Sequence, residues 1–162
     1  VSGGRRAFGN VPIYMTASNR TGVMRPEREV VFWDGESYEL QYGITLVRCG
    51  GHVEGSTILH GAGGAEGRGA IFTGDTIQVV QDRRFVSFMY SYPNLIPLPE
   101  RLVTQIASTI GLLPFDRFYG AFHGSMIAMG SAEVVRASGA RYMGWLLDEL
   151  RAPGGPGTAR CP

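Results

Sequence analysis

The sequence is poor in cysteine and contains no long hydrophobic run. Its two cysteines, Cys49 and Cys161, are far apart in the chain, so a disulfide framework is not supported and a reducing compartment is expected. No apolar stretch approaches the roughly 20 residues that a membrane-spanning helix needs. No positively charged segment precedes an apolar one as in a signal peptide. These absences predict a cytoplasmic protein without a membrane partner.

An excess of charge is also missing. The net charge is +1, and all 15 basic residues are arginine. Nothing in this balance indicates a nucleic acid or an acidic membrane surface as a partner. With 162 residues and 44% hydrophobic content, the chain is expected to form one globular domain over residues 1–150. The Gly/Pro-rich residues 151–162 are expected to be a disordered tail.

The apolar pattern predicts a mixed α+β fold. Short runs of strand composition occupy residues 44–47, 57–59 and 70–72. Asp34-Gly35 stands between two further strand-like segments, 29–33 and 37–41, which predicts a hairpin there. Two amphipathic helices are predicted, over residues 99–112 and 131–150, and Ser131 is the expected N-cap of the second helix.

Three residues with metal-binding side chains stand in similar settings. His52, Asp75 and His123 each lie beside a glycine where a predicted strand ends. Two imidazoles and a carboxylate suit zinc or a similar first-row ion. The alternative is that the histidines are buried and satisfied within the core and that the aspartate caps a strand. His60, at the end of a strand, is expected to be a structural or surface histidine.

Two other segments invite a functional interpretation. The glycine-rich residues 61–69 suggest a nucleotide-binding loop, but the third glycine of G-x-G-x-x-G would fall on Glu66 and a strand follows. A flexible hairpin loop is therefore predicted. Residues 91–99 hold three prolines and are expected to form an extended, irregular loop, which is either the lining of a site or a packed connection. The candidate lining residues are Tyr90, Tyr92 and Asn94.

The sequence segments around the three candidate ligands are more specific evidence for a family than the spacing of the ligands. The segments Gly51-His52-Val53-Glu54-Gly55-Ser56, Phe72-Thr73-Gly74-Asp75-Thr76 and Phe122-His123-Gly124 resemble the closing motifs of the metallo-β-lactamase superfamily. The resemblance covers residues 1–150. It implies an αββα sandwich and a metal-dependent hydrolase that acts on a small-molecule ester, thioester, lactone or lactam.

The resemblance also implies roles for the three residues. His52 is similar to a ligand of a first zinc ion, Asp75 to a bridge between two ions, and His123 to a ligand of the second ion. The family's main motif, H-x-H-x-D-H, is missing from a chain whose only histidines are these two and His60. Val1-Ser2-Gly3-Gly4 resembles the segment that follows that motif. Three of the family's seven ligands are thus present, and we expect weak zinc binding and little or no activity from the chain as given.

Loss of the preceding part predicts an incomplete sandwich. In the family fold that part supplies strands of the first sheet, so its absence is expected to expose apolar sheet surface and unpaired edges. We therefore expect a tendency to self-associate.

Two alternatives from other classes remain at this point. The chain is a non-catalytic remnant or a binding module that keeps the fold without its metals, if H-x-H-x-D-H is absent from the parent. A serine hydrolase that uses Ser56 or Ser125 is disfavoured, because the sequence has no G-x-S-x-G elbow.

Overall fold

A computed structural model of the chain describes residues 11–24 and 30–147. Within these residues the elements are twelve strands, two regular α-helices and one short helical segment, Gly64–Gly67, so the α+β class is confirmed. The strands are β1 Ile13–Thr16, β2 Val30–Trp33, β3 Ser37–Gln41, β4 Ile44–Arg48, β5 Thr57–Gly61, β6 Ala70–Phe72, β7 Gln78–Val79, β8 Val86–Ser87, β9 Met89–Ser91, β10 Ile96–Pro97, β11 Arg117–Tyr119 and β12 Met126–Ile127. The helices are α1 Glu100–Gly111 and α2 Ser131–Leu146, and a 3-10 helix occupies Ala17–Gly22. The predicted tail, residues 151–162, lies outside the described residues.

A six-stranded sheet is the centre of the fold. Its strand order is β12-β11-β6-β5-β4-β3. Strands β3 to β6 form an antiparallel meander, β11 pairs parallel with β6, and β12 pairs antiparallel with β11. Three small two-stranded sheets accompany it: β1-β2, β7-β8 and β9-β10.

Both helices pack on one face of this sheet. Because side chains alternate along a strand, one face carries a row of buried apolar residues. The core joins this row to both helices through Val47, Ile58, Ile71, Phe118, Ile127, Val103, Ile106, Ile110 and Val135. Helix α1 begins after Pro99, with Glu100 in its first turn, which suits the fixed φ of proline and the helix dipole. The predicted boundaries of α1 are confirmed to within a residue.

The hairpin predicted at Asp34-Gly35 is wrong. Gly35 has φ +98° and does form a turn, but β2 pairs parallel with β1, and β3 pairs with β4. The turn instead carries the chain from the small β1-β2 sheet to the large one. The hairpin between β3 and β4 closes on Tyr42-Gly43, whose φ angles of 48° and 72° are those of a two-residue turn that matches strand twist.

Two further expectations need correction. Ser131 is not the N-cap of α2: Gly130, with φ +66°, holds that position, and the Ser131 hydroxyl donates to the carbonyl of Ile127. Residues 91–99 are not irregular throughout, since β9 and β10 pair as a short antiparallel hairpin. The hairpin loop predicted over residues 61–69 does connect the antiparallel strands β5 and β6.

The thiol of Cys49 is fully buried, and burial raises its pKa to about 12. Only the thiolate is a strong nucleophile, so we expect no native-state reactivity at pH of about 8. In a Cys161→Ser variant, which leaves Cys49 as the single thiol, a disulfide-exchange reagent should label the chain only after denaturant is added. Rapid stoichiometric labelling of the folded chain would show that the burial of Cys49 is misassigned.

Candidate functional site at one edge of the sheet

The three predicted ligands follow three strands that run in the same direction. Strand β4 is antiparallel to β5, β5 is antiparallel to β6, and β6 is parallel to β11. The carboxyl ends of β4, β6 and β11 therefore meet at one edge of the sheet. His52 follows β4, Asp75 follows β6 and His123 follows β11. The strand order makes Asp75 and His123 neighbours, while β4 lies roughly 10 Å from β6 at ordinary strand spacing.

His52 lies in a tight loop that Ser56 closes. The backbone amides of Cys49 and Gly50 donate to the Ser56 carbonyl, and the Ser56 hydroxyl accepts from the amide of Val53 at 2.9 Å. This structural role leaves Ser56 poorly suited to be a nucleophile, as its surroundings in the sequence predicted. Gly50 supplies the positive φ, +67°, that the turn into the loop requires.

The imidazole of His52 has a defined hydrogen bond. Its Nδ1 lies 3.1 Å from the carbonyl oxygen of Met89, in β9. A carbonyl oxygen can only accept, so Nδ1 carries the proton and donates. The lone pair is then on Nε2. A backbone carbonyl on the other ring nitrogen is the usual arrangement behind a metal-binding histidine.

Two hydrogen bonds, called here the Thr16–Asn19 latch, join the His52 loop to the end of β1. The Thr16 hydroxyl donates to the Gly55 carbonyl at 2.9 Å, and the amide of Gly55 donates to Asn19 Oδ1 at 3.0 Å. Gly55 and Thr16 are both buried. A side chain on Gly55 would overlap Thr16 Oγ1, so only glycine fits. The end of β1 thereby lies at the same edge as the three predicted ligands.

Asp75 is an exposed carboxylate on a rigid turn. The Thr73 hydroxyl donates to the Ile77 carbonyl at 2.8 Å and fixes the chain between β6 and β7. The buried amide of Gln78 donates to Asp75 Oδ1 at 3.4 Å. Burial, and then the charge of Asp75, raise the pKa of Tyr92, which places the carboxylate near that phenol.

The ring of Tyr92 lies beside that of His52. The two ring centroids lie 5.8 Å apart, and the Tyr92 hydroxyl donates to the Ser87 carbonyl at 3.3 Å. Of the three candidates in the proline-rich segment, the structure thus brings Tyr92 to the site edge. Tyr90 and Asn94 are exposed.

His123 is exposed on the turn between β11 and β12. The turn is closed by the amide of Gly120, which donates to the Ser125 carbonyl at 2.7 Å. His60 is different: it is buried on the helix-facing side of the sheet, with Nε2 at 2.8 Å from the Pro114 carbonyl. Its structural role is confirmed.

The side chains of the three predicted ligands share an edge without converging. Within residues 11–24 and 30–147, no three His, Cys, Asp or Glu side chains form a group that could hold a metal ion. A groove of about 390 Å³ lies elsewhere, between α1 and α2, and none of the three residues lines it. The described helices include none that is long and apolar enough to cross a membrane.

Several residues of this edge were not identified from the sequence. Gln78 lies only three residues after Asp75 and its role was overlooked, whereas the Met89 carbonyl and the Thr16–Asn19 latch act across a long sequence separation and involve backbone atoms. Contacts of the latter kind leave no pattern in a single sequence. The glycine before Ser56 was the one available signal for the latch.

Comparison with known proteins adds one relative. The chain is 44% identical over 139 residues to "Uncharacterized protein YmaE" of Bacillus subtilis (strain 168), a match that covers 86% of this chain and 50% of that protein. The chain thus spans about half the length of this curated relative. No family model matches the chain.

Proposed function

We propose that the chain is part of a metal-dependent hydrolase of the metallo-β-lactamase superfamily. The proposed substrate is a small-molecule ester, thioester, lactone or lactam. One observation carries the proposal: His52, Asp75 and His123 follow three strands of the same direction and so lie at one sheet edge. Rigid strands that end in open loops at a common edge are where ligand and catalytic side chains usually gather.

The donors fit zinc in kind but not in number. The Nε2 lone pair of His52 and the exposed Asp75 carboxylate are available as ligands, and Gln78 orients that carboxylate. Zinc in such enzymes lowers the pKa of a bound water and polarises the bond to be cleaved. A catalytic zinc normally has three protein ligands, whereas three donors shared between two ions leave each ion with two. We propose that the remaining ligands lie outside these 162 residues.

An αββα sandwich is the proposed architecture of the complete domain. The face of the six-stranded sheet opposite the helices carries one apolar row. The row runs across all six strands through Tyr38, Leu46, Leu59, Phe72, Tyr119 and Met126. At one end, Tyr14 of β1 and Trp33 of β2 pack on Tyr38, with ring centroids at 5.6 and 5.9 Å. In the proposed architecture, the β1-β2 pair is the beginning of a second layer over this face.

The uncovered part of the row should make the chain self-associate. Phe72 is 48% exposed and Met126 37% exposed, and their neighbours in the row are apolar as well. We expect concentration-dependent oligomers in sedimentation or light scattering, and a shift toward monomer in Phe72→Thr/Met126→Thr. Leu112→Thr is the matched control, because Leu112 is 85% exposed but lies at the end of α1. A wild-type chain that stays monomeric at all concentrations would contradict the incomplete sandwich.

Zinc content and hydrolysis test the proposed function. The purified 162-residue chain is expected to hold well under one zinc ion and to hydrolyse esters, thioesters and lactones weakly or not at all. The protein expressed from its complete reading frame is expected to be active, and Asp75→Asn should lower kcat/KM by about a hundredfold or more. Stoichiometric zinc with robust turnover in the short chain would contradict the proposed division of ligands.

A second candidate is a non-catalytic remnant or binding module. It is favoured by the finding that no three potential ligands converge within the described residues. The same experiment separates the two candidates, because the module predicts no hydrolysis and no zinc in the complete protein.

A further inference from the structure

Two contacts fix the Tyr92 side chain beside His52. The Tyr92 hydroxyl donates to the Ser87 carbonyl at 3.3 Å, which holds the phenol over the strands that lead into the β9-β10 hairpin. The ring of Tyr92 then lies 5.8 Å from the imidazole of His52, at an interplanar angle of 33°. The same hairpin supplies the Met89 carbonyl that accepts from His52 Nδ1.

We propose that Tyr92 is a positioning residue, which holds the imidazole of His52 in the ring orientation and tautomer that leave Nε2 free at the sheet edge. The inference deepens the proposed function and rests on it for the use that is made of Nε2. The placement of the imidazole itself can be tested without any metal.

The Met89 carbonyl and the Tyr92 ring restrain the imidazole of His52 in different ways. The Met89 carbonyl selects the tautomer with the proton on Nδ1, because the oxygen can only accept. The carbonyl alone does not prevent rotation of the imidazole about the bond that joins it to the chain. The imidazole of His52 is half-buried and in contact with the phenol of Tyr92, so it has little room to rotate. Without the Tyr92 ring, the imidazole gains that room, the bond to Met89 loosens, and both tautomers become populated.

Tyr92 also stabilises the hairpin that carries Met89. Its backbone carbonyl accepts from the amide of Leu95 at 3.2 Å and closes the turn between β9 and β10. Leu95 has φ +54°, which is costly for a branched side chain, so the turn depends on its surrounding contacts. This contact is made by the backbone and remains in every Tyr92 variant, so those variants test the ring alone.

Tyr142 provides a matched control. Its hydroxyl also donates to a backbone carbonyl, that of Leu98, at 2.9 Å, and its ring also packs on an aromatic residue, Phe88, at 5.7 Å. Its burial is partial, like that of Tyr92. If Tyr92 only fills space, substitutions of the two tyrosines should have the same consequences for His52.

The test is side-chain nitrogen NMR of the three histidines at a pH of about 8, above the ordinary histidine pKa of about 6.5. The wild-type chain should show His52 with a protonated Nδ1 and an unprotonated Nε2. Tyr92→Phe keeps the ring that contacts His52 and loses only the hydrogen bond to Ser87, so Nδ1 should stay the predominantly protonated nitrogen. Tyr92→Met and Tyr92→Leu should give averaged signals from both tautomers, while Tyr142→Leu, with a similar loss in melting temperature, should leave His52 unchanged.

Titration with zinc alone gives the second readout. Tyr92→Met should weaken the zinc-induced shifts of the His52 signals by about tenfold in apparent affinity, as losses behind a metal ligand commonly do, and Tyr142→Leu should not. A tautomer change without any zinc response in the wild-type chain would support the positioning role and contradict the proposed function. A wild-type His52 protonated on Nε2, or one unaffected in folded Tyr92→Met and Tyr92→Leu, would overturn the inference.

Discussion

Gly55→Ala is expected to destabilise the chain by about 3 kcal/mol, at the upper end of the usual cost of overpacking. The added Cβ would overlap Thr16 Oγ1 and come within 2.6 Å of the Asn19 side chain. Neither partner is free to retreat, since both are hydrogen-bonded to the backbone of Gly55 itself. The substitution therefore separates the end of β1 from the loop that carries His52.

Gly61→Ala is the matched control. Gly61 ends β5, the strand that follows Gly55, and a Cβ there would meet no atom within 4 Å. Its expected effect is within about 1 kcal/mol, because alanine costs less backbone entropy than glycine in a strand. Urea unfolding of the two variants measures the difference. Equal stabilities for Gly55→Ala and Gly61→Ala would mean that β1 does not rest on the His52 loop.

His60→Ala is expected to lower the free energy of unfolding by about 3 kcal/mol. His60 is 6% exposed within the packed face of the sheet, and its Nε2 is the donor to the Pro114 carbonyl at 2.8 Å. The truncation removes a buried ring and leaves that carbonyl without its partner. Both losses weaken the contact between β5 and the segment that leads into β11.

His123→Ala should change stability by no more than about 0.5 kcal/mol, as is usual for exposed positions. His123 lies on an exposed turn, so its removal opens no cavity. Thermal unfolding of the two variants therefore separates a structural histidine from a candidate ligand. A large destabilisation by His123→Ala, or a neutral His60→Ala, would reverse these assignments.

The sequence predicts local features of this fold well. The apolar spacing of α1, its proline start, and the strands β4, β5 and β6 can all be read from residues close together in the chain. The strand-end positions of His52, Asp75 and His123 were also predicted. Their common edge follows only once the pairing of β6 with β11 is known, because that pairing fixes the strand directions.

Contacts between distant residues decide the structure at two places. Asp34-Gly35 makes the turn that the sequence indicates, but the partner of β2 is β1, which is decided by packing on Tyr38 and not by the turn. Thr16 precedes the 3-10 helix Ala17–Gly22 but makes no side-chain cap bond there, and its hydroxyl donates instead to Gly55, 39 residues away. In both places a contact between distant residues overrides a correct local signal.

Zinc titration of the wild-type chain, followed through the side-chain signals of its three histidines, shows whether a metal site lies at this edge of the sheet. We expect that His52 and His123 respond with weak affinity, that Asp75→Asn reduces both responses, and that buried His60 does not respond. A response of His60 equal to that of the other two, or no response of His52 and His123 at any zinc concentration that keeps the chain folded, would contradict a metal site at this edge of the sheet.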